Sequence, residues 1–195
     1  MDCYSLPTSV LIDGKEFKIR NNADYRVILD CFEALEDIEL DSRMRVYTSL
    51  IIFYDALSEL EDIPKVFGDN LKTAISEMFK FFNCGKESVG AKSPYKLIDW
   101  QADSQMIASA INNVTKKEVR QESYIHWWTF MGYYCAIGES TLSTVVNIRW
   151  KLASHKKLEK HERDFKNRNP EYFNWDAKSV NQKENDELLK SLWNQ

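Results

Sequence analysis

The chain has 195 residues, of which 44% are hydrophobic and 13% aromatic, and a formal net charge of −4. It is too apolar to be disordered throughout and long enough to bury a core without disulfide or metal staples. No apolar run approaches the roughly 18 residues of a membrane span, and six Gly and four Pro are too few for a loop-rich β architecture.

The first predicted element is a β-hairpin. Ser9-Val10-Leu11-Ile12 and Lys15-Glu16-Phe17-Lys18-Ile19 flank Asp13-Gly14, a pair suited to a type I′ turn because both central residues need positive φ. That turn sets Ile12 opposite Lys15 and Val10 opposite Phe17. Val10, Ile12, Phe17 and Ile19 then share an apolar face, which must pack on helices or on another chain because a lone hairpin is marginal in water.

Helical periods follow. Asp24 is placed to cap a first helix carrying Tyr25, Ile28, Leu29, Phe32 and Leu35 on one face. Asp41 or Ser42 can cap a second with Val46, Leu50, Phe53, Tyr54 and Leu57. Pro64 and Gly68 interrupt, and a third helix aligns Leu71, Ile75, Met78, Phe79 and Phe82 before stopping near Gly85. Residues 84–95 read as a surface loop. A fourth helix covers residues 100–114 with Ile107, Ala110, Ile111 and Val114. Ser123 is placed to cap a fifth that is apolar nearly all round, through Tyr124, Trp127, Trp128, Met131 and Cys135, and is therefore expected at the centre and closed by Gly138. Ser140 is placed to cap a sixth with Leu142, Val145, Val146 and Arg149. After Leu152 the chain turns polar: residues 154–169 read as an exposed helix, followed by a break with Tyr172, Phe173 and Trp175 and a short amphipathic segment with Leu188, Leu189, Leu192 and Trp193. The expected fold is thus mostly α, an N-terminal β-hairpin packed on a bundle of about six helices. The domain reading is a compact unit of residues 1–153 and a polar, basic, partly helical extension of residues 154–195.

Chemical motifs are largely missing from the sequence. No glycine pair has the spacing of a phosphate-binding loop, and there is no Gly-x-Ser-x-Gly or Cys-x-x-Cys. His161-Glu162 opens like a zinc-protease motif, but Phe165 stands where the second His is needed. His155 and Glu159 are one helical turn apart, too few ligands for a tight metal site. Asp99 and Asp103, also one turn apart, suit helix capping at least as well as acid–base work. His126 beside Trp127 and Trp128 has no nucleophile or partner base signalled nearby. The chain is therefore expected to be neither an enzyme nor a cofactor protein.

Charge is segregated. Asp30 to Asp62 holds ten acidic and two basic residues, and Arg149 to Arg168 eight basic and three acidic. The overall acidity and the lack of aromatics interleaved with the basic run argue against a nucleic-acid interface. A solvated helix or a protein-binding arm is the better reading; for the arm, Lys156, Lys157, Lys160, Arg163, Tyr172, Phe173 and Trp175 are the candidate contacts, and the opposite patches are either solvated faces or a means of self-association. The start, Met1-Asp2-Cys3-Tyr4, lacks the features of a signal peptide, and the scattered cysteines Cys3, Cys31, Cys84 and Cys135 suit reduced thiols.

Several of these stretches resemble one family. Leu6-Pro7, Ile12 to Phe17 and Ala23 to Leu29 resemble the start of the bacteriophage gene-product-fifteen family, of long-tailed phages and prophages of Gram-positive bacteria. Asp99-Trp100 with Asp103 and Ile107 is similar to its middle motif. Tyr124-Ile125-His126-Trp127-Trp128-Thr129-Phe130 and Ile148-Arg149 are similar to its C-terminal motif. The resemblance spans about residues 5–165 and implies a tail assembly chaperone-like protein that binds tape-measure protein, tail-tube protein or both, in the host bacterial cytoplasm. The alternative is a structural virion component such as a tail-completion or connector protein. The family brings no catalytic residues, and His126, Trp127 and Trp128 enter as motif residues expected in the core.

Overall fold

The computed structural model describes residues 4–86 and 95–173. These residues are mostly α-helical, with one two-stranded sheet. They form two units, one of residues 4–86 with 124–131, the other of residues 95–123 with 132–173.

In the first unit, β1 (Ser9–Ile12) and β2 (Lys15–Lys18) pair antiparallel with Ile12 opposite Lys15 and Val10 opposite Phe17. Asp13 and Gly14 take φ of 49° and 74°, as a type I′ turn requires. Val10, Ile12, Phe17 and Ile19 are buried, whereas Leu11 is 65% exposed. Asn21, Asn22 and Ala23 then turn the chain with left-handed φ, a conformation asparagine tolerates better than most residues.

Helix α1 (Tyr25–Glu36) starts where the Asp24 carboxylate accepts from the Arg26 N–H. It packs on α2 (Ser42–Phe53), which Asp41 caps by accepting from Arg43 and Met44 N–H. The buried residues of α1 are Tyr25, Val27, Ile28, Cys31 and Ala34, while Leu29, Phe32 and Leu35 are only half-buried. The small Cys31 and Ala34 suit a close approach of α2, and the Cys31 thiol donates to the Ser49 carbonyl at 3.6 Å. Tyr54 and Leu57 lie beyond α2 but are fully buried. Arg20 closes the end of α2, donating to the carbonyls of Ile51, Ile52, Tyr54 and Leu57 at 2.6–3.1 Å. A cation there meets the roughly half negative charge of a helix C-terminus.

Pro64 does not interrupt: it sits in the first turn of a short helix, α3 (Asp62–Phe67), where its missing N–H has no helical partner to lose. Gly68, at φ 49°, ends α3. Helix α4 (Leu71–Phe82) ends with Cys84 in the left-handed region, Gly85 N–H donating to Lys80 and Cys84 N–H to Phe81, the paired bonds of a Schellman cap. Phe53 is the aromatic centre of this unit, its ring 4.8 Å from Tyr54, 5.5 Å from Phe81 and 5.6 Å from Phe82.

In the second unit, α5 (Ser104–Thr115) begins later than residue 100, because Asp99 caps the preceding turn by accepting from Gln101 and Ala102 N–H. Helix α6 (Trp127–Cys135) begins in the first unit and ends in the second. Tyr124 to His126 precede it as extended chain, so Ser123 is not its cap. Of its residues only Trp127 and Phe130 are buried and Cys135 is exposed, so it is not a uniformly buried central helix. It stops three residues before Gly138. Ser140 caps α7 (Thr141–Ala153) in a reciprocal capping box with Ser143.

The polar stretch after Leu152 is not one helix. His155, at φ 55°, ends α7 in a second Schellman cap, with Lys156 N–H on Lys151 and His155 N–H on Leu152. Helix α8 (Lys160–Arg168) follows, then a 3-10 turn over Pro170–Tyr172. Trp175, the segment from Leu188 to Trp193 and most of the predicted loop before Tyr95 lie outside the described residues. Among the described residues no helix is long and apolar enough to cross a membrane.

Candidate functional site

The residues singled out in the sequence fall into two internal clusters and one exposed surface. The first cluster holds the start of α1 against the segment that leads into α6. Asp24, 6% exposed, accepts from the Ile125 N–H at 3.0 Å and from Arg26 at 3.1 Å, besides capping α1. The Tyr25 N–H donates to the Ile125 carbonyl, and Asp24 pairs with His126 in an isolated β-bridge.

His126 is 1% exposed and uses both ring nitrogens. Its Nδ1 accepts from the Trp128 N–H at 3.1 Å, which starts α6, and its Nε2 lies 2.9 Å from the Pro7 carbonyl. An N–H can donate only to an unprotonated ring nitrogen, so this geometry assigns a neutral imidazole with its proton on Nε2. Burial lowers the imidazole pKa, and the bond to Pro7 only partly opposes this. The arrangement positions two segments and presents no free base.

Trp127 is 1% exposed, and its indole N–H donates to the Phe82 carbonyl at 3.0 Å. Trp128 is half-buried, donates to the Phe81 carbonyl at 3.0 Å and lies over Gly85, where an added Cβ would come within 3.1 Å of its ring. The two indoles thus satisfy the last carbonyls of α4. Tyr25 stacks on Phe130 at 4.3 Å.

The second cluster joins Asp103 to Arg149, both nearly fully buried. Arg149 Nη1 meets Asp103 Oδ2 at 2.6 Å and Nη2 meets Oδ1 at 3.0 Å. The remaining guanidinium N–H groups reach the Leu97 and Tyr172 carbonyls, so all five donors are used. Asp103 also accepts from the Asp99 N–H. Asp99 and Asp103 therefore do not form an acid–base pair: one caps a turn and the other is an ion-pair partner. Glu162 is a related case inside the polar stretch. It is 4% exposed and accepts from Lys151, Asn147 and the Glu159 N–H; the Lys151 ammonium first, and then that N–H, hold its carboxyl below the usual range.

The exposed surface lies along the end of α7 and on α8. Lys156, Lys157, Lys160 and Arg163 are all exposed. Lys156 sits 3.9 Å over the ring of Trp150, which is itself 37% exposed, and Leu152 is 38% exposed. Tyr172 and Phe173 are half-buried, with the Phe173 ring against Phe165. Trp150 and Leu152 are surface residues the sequence reading missed. Trp150 lies off the Leu142, Val145 and Arg149 stripe of α7, which is the available signal. His155 and Glu159 are not on one helix: His155 is in the turn that closes α7 and Glu159 is the N-cap of α8. Among the described residues no group of three or more His, Cys, Asp and Glu could hold a metal ion.

The motif stretches thus meet in pairs, Pro7 and Asp24 with Ile125 and His126, and Asp103 with Arg149. Neither the comparison with curated proteins nor that with solved structures gave a match. The sequence model of one family, described as Bacteriophage Gp15 protein, matches residues 4–174, and the chain belongs to that family.

Proposed function

We propose that this phage protein is a tail assembly chaperone-like factor that binds tape-measure protein, tail-tube protein or both in the host cytoplasm. The observation that supports this most is family membership combined with how the motif residues are used. His126, Trp127, Asp103 and Arg149 are spent on internal contacts, so they do not form a free reactive centre. Among the exposed residues, Trp150 and Leu152 lie beside several lysines; an exposed aromatic suits the core of a protein interface and the lysines suit its polar rim. The opposite charge of the Asp30–Asp62 region makes self-association a second use of that surface. The test is co-expression of tape-measure protein with the native chain and with a Lys156→Glu, Lys157→Glu, Lys160→Glu variant. The native chain should raise the soluble yield of tape-measure protein and co-purify with it, and the folded variant should do neither. Equal solubility with and without the native chain would reject the proposal.

A further inference from the structure

Residues 30–41, on α1 and in the turn that follows it in the first unit, carry six carboxylates and no Lys or Arg. Asp30, Glu33, Glu39 and Asp41 are exposed, and Glu36 and Asp37 are half-buried. The flanking cations are Arg26, which is paired with Asp24, and Arg43 and Arg45 beyond the turn. Burial first, and then the neighbouring charges of Glu33 and Asp24, raise the Asp30 carboxyl above its ordinary value, so the run is crowded with like charge. Set in this run is Ile38, 59% exposed. The surface at the end of α7 and on α8, in the second unit, has the opposite make-up. From Lys156 to Arg168 there are six Lys and Arg and three carboxylates, and Glu162 is already taken by Lys151. Among the described residues none of these six cations takes part in an ion pair, which leaves six against Glu159 and Asp164. Trp150 and Leu152 are the exposed apolar members of this surface. One surface is thus an apolar side chain among carboxylates, and the other an apolar pair beside ammonium groups.

We propose that the acidic run of one copy docks on the basic surface of a second copy, with Ile38 against Trp150 and Leu152 and the carboxylates around it facing Lys156, Lys157 and Lys160. The contact joins two different surfaces, so it is heterologous: each copy keeps one surface open for the next, and repetition gives a ring or an open helical array. Each exposed charge pair contributes little, so the contact is weak and salt-dependent, and its specificity comes from the match of opposite charge around the apolar centre. This inference rests on the proposed reading of the basic surface as a protein interface. The partner it names is the chain itself, so its test needs no tail protein.

The test is sedimentation velocity of the nuclease-treated full chain across a range of concentrations, at low and at moderate salt. The native chain should form larger species that grow with concentration and are lost as salt screens the charges over a Debye length of about 8–10 Å. Reversing the acidic run (Asp30→Lys, Glu33→Lys, Glu39→Lys) or the basic surface (Lys156→Glu, Lys157→Glu, Lys160→Glu) should weaken self-association about tenfold. Ile38→Ser should weaken it with no change of charge. Carrying both reversals on one chain keeps the native net charge and should restore association, which excludes misfolding as the cause. Carbodiimide coupling of mixed ¹⁴N- and ¹⁵N-labelled chains should link Lys156, Lys157 or Lys160 of one chain to carboxylates of residues 30–41 of another. A native chain that stays monomeric at low salt, association that survives either reversal, or links confined to single chains would each overturn the proposal. So would association seen only before nuclease treatment, which would assign the lysines to nucleic acid. A chain that self-associates but leaves tape-measure protein unbound would reject only the proposed function, and the converse would reject only this inference.

Discussion

Replacing Arg149 by Met keeps an unbranched side chain of similar length but removes every N–H. The Asp103 carboxylate, 2% exposed, would then keep only the Asp99 N–H of its mapped hydrogen bonds, and the Leu97 and Tyr172 carbonyls would lose their Arg149 donors. Removing one partner of a buried ion pair costs about 3–5 kcal/mol, because the other charge is left uncompensated. For a chain of this size that corresponds to a fall in Tm of about 6–20 °C. Asp103→Leu should cost a similar amount, leaving a buried guanidinium. The double variant Asp103→Leu, Arg149→Met should lose less than the sum of the two by about 0.5–3 kcal/mol, since neither charge then remains. Arg149→Lys should not rescue, because an ammonium cannot bind both carboxylate oxygens and the two carbonyls in the same plane. Thermal and urea melts followed by circular dichroism measure all four. A loss below about 1 kcal/mol for Arg149→Met, the range of exposed pairs, would refute this reasoning, as would strict additivity in the double variant.

The other predictions concern the first cluster and the thiols. Trp127→Ala should cost about 3–5 kcal/mol, the range for buried aromatics, and half-buried Trp128 clearly less, as chemical denaturation of the two variants will measure. His126 has a folded-state pKa below the ordinary imidazole value, so its contribution to stability is complete above about pH 6.5 and is lost as pH falls toward and through the lowered value. Melts between pH 8 and 5 should show a decline that His126→Gln flattens; an unchanged slope in that variant would remove His126 as its source. Under native conditions a thiol reagent should modify exposed Cys135 promptly and buried Cys31 only on unfolding, since burial pushes the Cys31 thiol up to about 12.

What the sequence could convey here was local. Asp13-Gly14 specifies its turn through backbone sterics alone, and Asp24, Asp41 and Ser140 cap helices within two or three residues of themselves. The misses come from partners distant in sequence. Ser123 is the cap the sequence offers, because Ser is a good N-cap in general; in the structure it is His126 Nδ1 that accepts from the Trp128 N–H, with the other ring nitrogen held at the distant Pro7 carbonyl. Helix ends at Cys84 and His155 were blurred because neither has a glycine in the left-handed position. Arg20, which closes α2 from more than thirty residues away, and the Asp103–Arg149 pair depend on tertiary contacts that no periodicity encodes. The basic stretch was read as a uniformly solvated face, whereas Glu162 within it is buried against Lys151. Composition correctly placed Lys156, Lys157, Lys160 and Arg163 on the surface but not the neighbouring Trp150, whose exposure depends on which stripe of α7 turns inward.

A tail assembly chaperone-like factor, as proposed, would act on tail proteins during assembly and stay out of the finished particle. Quantitative mass spectrometry of infected-cell lysate and of purified particles tests it most directly. The account predicts abundant chain in the lysate, recovered together with tape-measure or tail-tube protein, and little or none in the particles. A fixed, stoichiometric number of copies in every purified particle would contradict it and make the chain a structural part of the virion.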